Sequence, residues 1–121
     1  MALCSDLPGV WILQVQNPKH QVVATLKLQF TDKVANSCMS GEWKAVKVLA
    51  TKTKVKGFYP ASDPLSYRID KGRLTIGRNE VCDAYLWLQG SVGATSVQGD
   101  YFSLGLGGSS PLGHFELSRS K

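Results

Sequence analysis

Alternation of apolar and polar residues over residues 21–30 constrains the fold of this chain more than any other sequence feature. The apolar residues of QVVATLKLQF that share one face are Val22, Ala24, Leu26, Leu28 and Phe30. A repeat of two residues is the repeat of a β-strand, whereas a helix repeats every 3.6 residues. The stretch therefore predicts a strand with one buried face and one hydrated face.

Similar strands, joined by turn residues, are predicted along the rest of the chain. Residues 9–16 precede the first example, and NPKH (17–20) supplies a turn, so the two segments predict a hairpin. The further predicted strands are residues 38–48, 50–58, 65–69, 73–77, 82–92, 97–106 and 111–119. Asp70-Lys71-Gly72 is typical of a three-residue hairpin loop with Gly72 at positive φ. The total is eight or nine strands, and no segment predicts a helix.

Short links between consecutive strands favour antiparallel neighbours in chain order. Closure of the sheet on itself would remove its exposed edges, which no predicted helix covers. We therefore expect an all-β fold: an antiparallel up-and-down (meander) β-barrel of about eight strands, in a single domain over residues 1–121. A flat β-sandwich is the competing architecture. An eight-stranded barrel either fills with side chains or holds one small ligand.

Composition and charge make several classes of function less favourable. The net charge of +5 is not accompanied by an arginine cluster, so a mildly basic surface is favoured over nucleic-acid binding. The odd number of widely spaced cysteines (Cys4, Cys38 and Cys82) and the presence of only two histidines make a zinc site unfavourable. We expect no cofactor, and reduced thiols favour a cytoplasmic location.

The apolar stretch LPGVWILQV (7–15) lacks the features of a secretion signal. The only charge before Trp11 is Asp6, which has the wrong sign, and Pro8 and Gly9 interrupt the apolar run. The chain also has no stretch near the ~20 apolar residues of a membrane span. We therefore expect neither export nor membrane insertion, and we interpret the stretch as the first strand.

Two short features at opposite ends of the chain resemble the calycin superfamily, which comprises the lipocalins, fatty-acid-binding proteins and avidins. Gly9-Val10-Trp11 opens the first strand, and Arg119 ends the last one, HFELSR. In calycins a Gly-x-Trp and a basic residue occupy these places, and the basic side chain covers the indole at the closed end. The resemblance implies a calycin-like barrel of bacterial type with Trp11 and Arg119 as its structural end pair.

The same resemblance implies a binding protein for a small, largely apolar ligand in the open end of the barrel. Aromatic side chains on predicted strands are the candidates for lining that cavity: Trp43, Tyr67, Tyr85, Trp87, Tyr101 and Phe102. The alternative is that they fill a packed core. The chain would then be a protein-interaction, inhibitor or assembly module that acts through its outer surface.

Residues 84–88 are apolar on both faces of their predicted strand. Ala84, Leu86 and Leu88 share one face, whereas Tyr85 and Trp87 share the other. One face belongs to the interior, and the second needs cover from a loop or from a second subunit. A homodimer is therefore a candidate assembly.

Residues with catalytic chemistry are few, and we do not expect an enzyme. His20 lies in a turn, while His114 and Glu116 share a face of the last strand. A nucleophilic pair would require Cys38 or Cys82 to meet His114, which nothing in the spacing demands. Glu42 and Asp100 are candidates for buried carboxylates that orient a polar ligand group.

A run of lysines marks the middle of the chain: Lys44, Lys47, Lys52, Lys54 and Lys56. An anion or nucleic-acid contact is one interpretation. A hydrated strand face that discourages aggregation is the favoured one.

Overall fold

The computed structural model describes residues 9–35, 42–55, 58–59, 65–77, 85–93, 95–105 and 107–119. Eight strands form the fold: β1 (Val10–Gln16), β2 (Val22–Val34), β3 (Lys44–Thr53), β4 (Leu65–Asp70), β5 (Arg73–Gly77), β6 (Tyr85–Val92), β7 (Ser96–Gly105) and β8 (Gly108–Arg119). Each strand pairs antiparallel with the next, and β8 pairs with β1, which closes the barrel. The predicted all-β meander barrel is therefore confirmed. The described residues include no helix of the length and apolarity that a membrane crossing requires.

One strand, β3, replaces the two that the sequence predicts over residues 38–48 and 50–58. Val48 lies opposite Leu28 of β2, but Ala50 lies opposite Lys27, so Leu49 is an extra residue that has no partner on β2. Such a bulge shifts the inward and outward positions by one residue. The alternation therefore breaks in the middle of a continuous strand, which explains the incorrect division.

Tight turns close two of the hairpins of the barrel, β4–β5 and β1–β2. Lys71 and Gly72 alone connect β4 to β5, and both have positive φ (54° and 78°), as in a type I′ turn. The predicted three-residue loop is thus a two-residue turn. In the β1–β2 turn, Asn17 Oδ1 accepts hydrogen bonds from the backbone N–H groups of Lys19 (2.9 Å) and Gln21 (3.0 Å).

We define the lower end of the barrel as the end at which β1 begins and β8 finishes. There Arg119 Cζ lies 5.2 Å from the centroid of the Trp11 ring, so the two side chains are in cation–π contact. Lys44 Nζ lies 3.6 Å from Asp32 Oδ1, where β2 ends and β3 begins. The upper end is the opposite one, where the β1–β2 turn lies.

Apolar side chains fill the lower and middle interior. Eight of the largest are at most 3 % exposed: Trp11, Leu13, Leu26, Leu28, Leu74, Ile76, Leu88 and Leu117. They belong to one continuous core cluster. None of the buried residues that the structure describes carries a charge; the buried polar ones are Ser66 and Thr75.

Candidate functional site

The structure divides the six candidate cavity aromatics between the two faces of the barrel wall. Tyr67 and Tyr101 lie in the interior core cluster. A separate cluster contains the other four: Trp43, Tyr85, Trp87 and Phe102. Trp87 alternates with the interior residue Leu88 and lies across from Phe102 in β7, so both aromatic rings project from the outer wall. These four residues therefore do not line the barrel interior.

The outer aromatic cluster is covered within the single chain. Trp43 is 2 % exposed and its ring centroid lies 5.7 Å from that of Trp87, while Arg68 Cζ lies 5.0 Å from the Trp43 centroid. A Cβ at Gly77 would lie 2.1 Å from Cδ1 of Trp87, so the indole lies directly against the β5 backbone. The argument for a homodimer from an uncovered aromatic face therefore does not hold.

Phe58 and Tyr59 lie against the interior at the upper end. They follow β3, which runs in the same direction as β1 and so finishes at that end. The ring centroid of Tyr101 lies 5.2 Å from that of Phe58 and 5.4 Å from that of Tyr59. The Tyr101 hydroxyl also donates a hydrogen bond to the Phe58 carbonyl. An aromatic layer therefore lies above the aliphatic core.

The hydroxyl of Tyr59 is the exceptional group in this layer. Tyr59 is 2 % exposed, and among the described residues its oxygen has no hydrogen-bond partner. A buried hydroxyl without a partner costs about 1–3 kcal/mol of stability. Desolvation, followed by the neighbouring Tyr101, raises the pKa of Tyr59 far above its usual value. The group is therefore a neutral donor that lacks an acceptor.

The wall beside this layer contains the shortest strand pairing of the barrel. Within the described ranges, β3 and β4 pair through three residue pairs, from Lys44–Tyr67 to Val46–Leu65. Above them, Thr51 and Thr53 lie opposite the buried Leu26 and Ala24, yet both threonines are exposed. The inward-facing positions of β3 are thus exposed at the upper end, although the residues opposite them on β2 are buried.

A second region of chemical interest lies on the outer wall formed by β7, β8 and the β1–β2 turn. The rings of His20 and His114 stack with centroids 4.0 Å apart and planes 6° apart. His114 Nδ1 lies 3.5 Å from Asp100 Oδ1, and His20 Nδ1 lies 3.2 Å from Gln16 Oε1. Hollows of about 450 Å³ and 390 Å³ flank His114.

Two sequence-based expectations about charged groups need correction, whereas the exposed lysines agree with the favoured interpretation of a hydrated strand face. Glu42 is exposed, and the Asp100 side chain is 77 % exposed, so neither is a buried carboxylate. Lys47 and Lys52 of β3 are exposed, and Lys44 is paired with Asp32.

Other predictions lie beyond what the structure describes. Cys4, Cys38, Cys82 and Lys56 fall outside the described residues, so the thiol and Cys–His predictions stay predictions. Across the described part of the chain, no group of three or more His, Cys, Asp or Glu residues is arranged to hold a metal ion.

The sequence analysis missed Tyr59 and the pairing of the two histidines. Phe58 and Tyr59 are adjacent aromatics in a stretch of sequence otherwise rich in small and polar residues, which is a signal of burial. No signal in one sequence could bring His20 next to His114, because this contact depends on barrel closure.

Comparisons with known proteins do not extend this description. No protein-family profile, no curated protein and no solved structure matches the chain.

Proposed function

We propose that this chain binds a small, largely apolar molecule at the upper end of a calycin-like barrel. The unpartnered, buried hydroxyl of Tyr59 carries the proposal. A ligand that accepts a hydrogen bond from this hydroxyl would remove the cost of its burial, whereas purely apolar packing would not. The aromatic rings of Phe58, Tyr59 and Tyr101 would supply apolar contact area.

The surroundings of Tyr59 limit the chemistry of the ligand. The raised pKa keeps the hydroxyl protonated, so it can donate to a carbonyl, ether or hydroxyl oxygen. Among the described residues no buried cation lies nearby to neutralise a ligand carboxylate, and an unpaired buried charge is costly. The expected ligand is therefore neutral and apolar, with one hydrogen-bond acceptor.

The short β3–β4 pairing suggests a route of entry. Thr51 and Thr53 face inward but remain exposed, so a molecule that approaches there can reach the upper interior without crossing the packed lower core. We therefore expect the bound molecule to contact the upper interior only.

The test is a fluorescence titration with Nile red, a neutral apolar dye that has a carbonyl acceptor. The unmodified chain should bind it at one saturable site, and Tyr59→Phe should weaken binding about two- to tenfold, the value of one hydrogen bond. Anthracene, an apolar probe without an acceptor, should bind both forms equally. Tyr85→Phe, on the outer wall, is the matched control and should leave Nile red binding unchanged.

Two results would overturn the proposal. One is the absence of saturable binding of either probe. The other is equal loss of Nile red affinity in Tyr59→Phe and Tyr85→Phe, because the dye would then bind away from the upper end.

A second candidate function is a protein-interaction, inhibitor or assembly module with a filled barrel. The packed lower and middle interior favours it, since eight large side chains are at most 3 % exposed. Such a module would act through the outer wall, and neither apolar probe would bind to it.

A further inference from the structure

The only two histidines of the chain lie in contact. One belongs to the β1–β2 turn and the other to β8, and their rings are stacked at 4.0 Å. Asn17 holds the turn through two hydrogen bonds, and His20 within it adopts a φ of 65°. This left-handed conformation is uncommon for a residue other than glycine. The turn therefore holds the His20 ring over β8 at some cost in backbone energy.

Each ring has its Nδ1 atom close to an oxygen. Nδ1 of His114 faces the Asp100 carboxylate at 3.5 Å, and Nδ1 of His20 faces the amide oxygen of Gln16 at 3.2 Å. These oxygens only accept hydrogen bonds, so each contact is favourable when Nδ1 carries the hydrogen. In the neutral ring the lone pair then resides on Nε2. Metal-binding histidines are commonly oriented in this way by an oxygen acceptor.

We propose that His20 and His114 together bind a late first-row divalent cation of the series Ni²⁺, Cu²⁺ and Zn²⁺. The two Nε2 atoms supply the protein ligands, and water completes the coordination, because the 450 Å³ hollow beside both rings is open to solvent. Imidazole suits these metals better than it suits Mg²⁺ or Ca²⁺. Asp100 and Glu116 add negative charge beside the pair.

Binding requires a rotation of one ring. Imidazole binds a metal in the plane of the ring, and two parallel planes cannot share one ion. His20 is exposed and lies in a turn, whereas His114 is tied to β8 and contacts Asp100. The His20 ring therefore turns when the ion binds, which separates the stack and breaks its contact with Gln16, whereas His114 keeps its contact with Asp100.

The experiment is a Ni²⁺ titration of the untagged chain, followed by NMR of the imidazole protons. The chain has two histidines, so each signal is assigned by one variant, His20→Gln or His114→Gln. We expect paramagnetic broadening of both signals at substoichiometric Ni²⁺. In either single variant the remaining signal should need at least about tenfold more Ni²⁺. Because each signal reports on one histidine, Ni²⁺ that binds to a cysteine thiol elsewhere does not contribute to the measured broadening.

Asp100→Asn tests the orienting contact. It should weaken binding about 10- to 100-fold, whereas Asp70→Asn, an exposed acid of the β4–β5 hairpin, should have no effect. The proposal is overturned if neither imidazole signal broadens at stoichiometric Ni²⁺. It is equally overturned if the remaining histidine of a single variant broadens at the same Ni²⁺ concentration as in the unmodified chain.

Discussion

Two buried tyrosines in the barrel differ in whether the hydroxyl has an acceptor. Tyr67 is 4 % exposed, and its hydroxyl donates to the Thr31 carbonyl at 2.8 Å. Tyr59 is equally buried, but its hydroxyl has no acceptor among the described residues. A satisfied buried hydrogen bond stabilises a protein, whereas an unsatisfied donor destabilises it. The cost at Tyr59 is the reason to look for its function there.

The two tyrosines should therefore respond to the same substitution with opposite signs. Tyr67→Phe should lower the free energy of unfolding by about 0.5–1.5 kcal/mol, because the Thr31 carbonyl loses its partner. Tyr59→Phe should raise it by about 1–3 kcal/mol, because the unsatisfied donor is removed. Urea denaturation measures both values. Comparable destabilisation by the two substitutions would mean that the Tyr59 hydroxyl is satisfied in the folded protein.

The Arg119–Trp11 contact at the lower end has a modest energetic value. The guanidinium is exposed and lies 5.2 Å from the indole centroid, so Arg119→Met should cost about 0.5–1 kcal/mol. Thermal unfolding measures this loss, and Arg73→Met, at an exposed strand end, is the control. Equal stability of the two variants would mean that the contact between Arg119 and Trp11 does not contribute measurably to the stability of the folded protein.

Among the strands, β3 departs most from a regular barrel strand. It contains the bulge at Leu49, and it pairs with β4 over three residue pairs, whereas β7 and β8 pair over ten. A strand held firmly on one side only should open more readily than its neighbours. The weakest part of the wall therefore lies beside the aromatic layer at the upper end.

Hydrogen exchange should reveal this weak part of the barrel wall, between β3 and β4. Backbone amides of residues 47–53 that point away from β2 should exchange much faster than the amides of β7, because they lie beyond the β3–β4 pairing. Mass spectrometry or NMR after transfer to D₂O measures the rates. Protection of these amides to the level of β7 would rule out entry of a ligand between β3 and β4.

The strands show how much of the fold can be predicted from the sequence alone. The alternation in residues 21–30 was sufficient to predict β2, because a one-residue slip would expose its whole apolar face. Leu49 hid the continuity of β3, since a bulge reverses the alternation that identifies a strand. For residues 85–88 both faces are apolar, so only the packing of Trp43 on Trp87 shows which face lies outside.

At the scale of the whole molecule, the barrel has four regions with different chemistry. The lower end is capped by Trp11 and Arg119, and the middle is filled by aliphatic side chains. The upper end holds the aromatic layer with the unpartnered Tyr59 hydroxyl. The outer wall carries the stacked histidines. The ligand proposal rests on Phe58, Tyr59 and Tyr101, whereas the metal proposal rests on His20, His114 and Asp100, so different substitutions test the two proposals separately.

The most direct test of the account is the location of bound Nile red by intermolecular nuclear Overhauser effects on the chain with labelled aromatic residues. The account predicts contacts from the dye to the rings of Phe58, Tyr59 and Tyr101 at the upper end. Contacts confined to Trp87 and Phe102 on the outer wall would contradict it, because the barrel would then be a filled scaffold that binds through its surface.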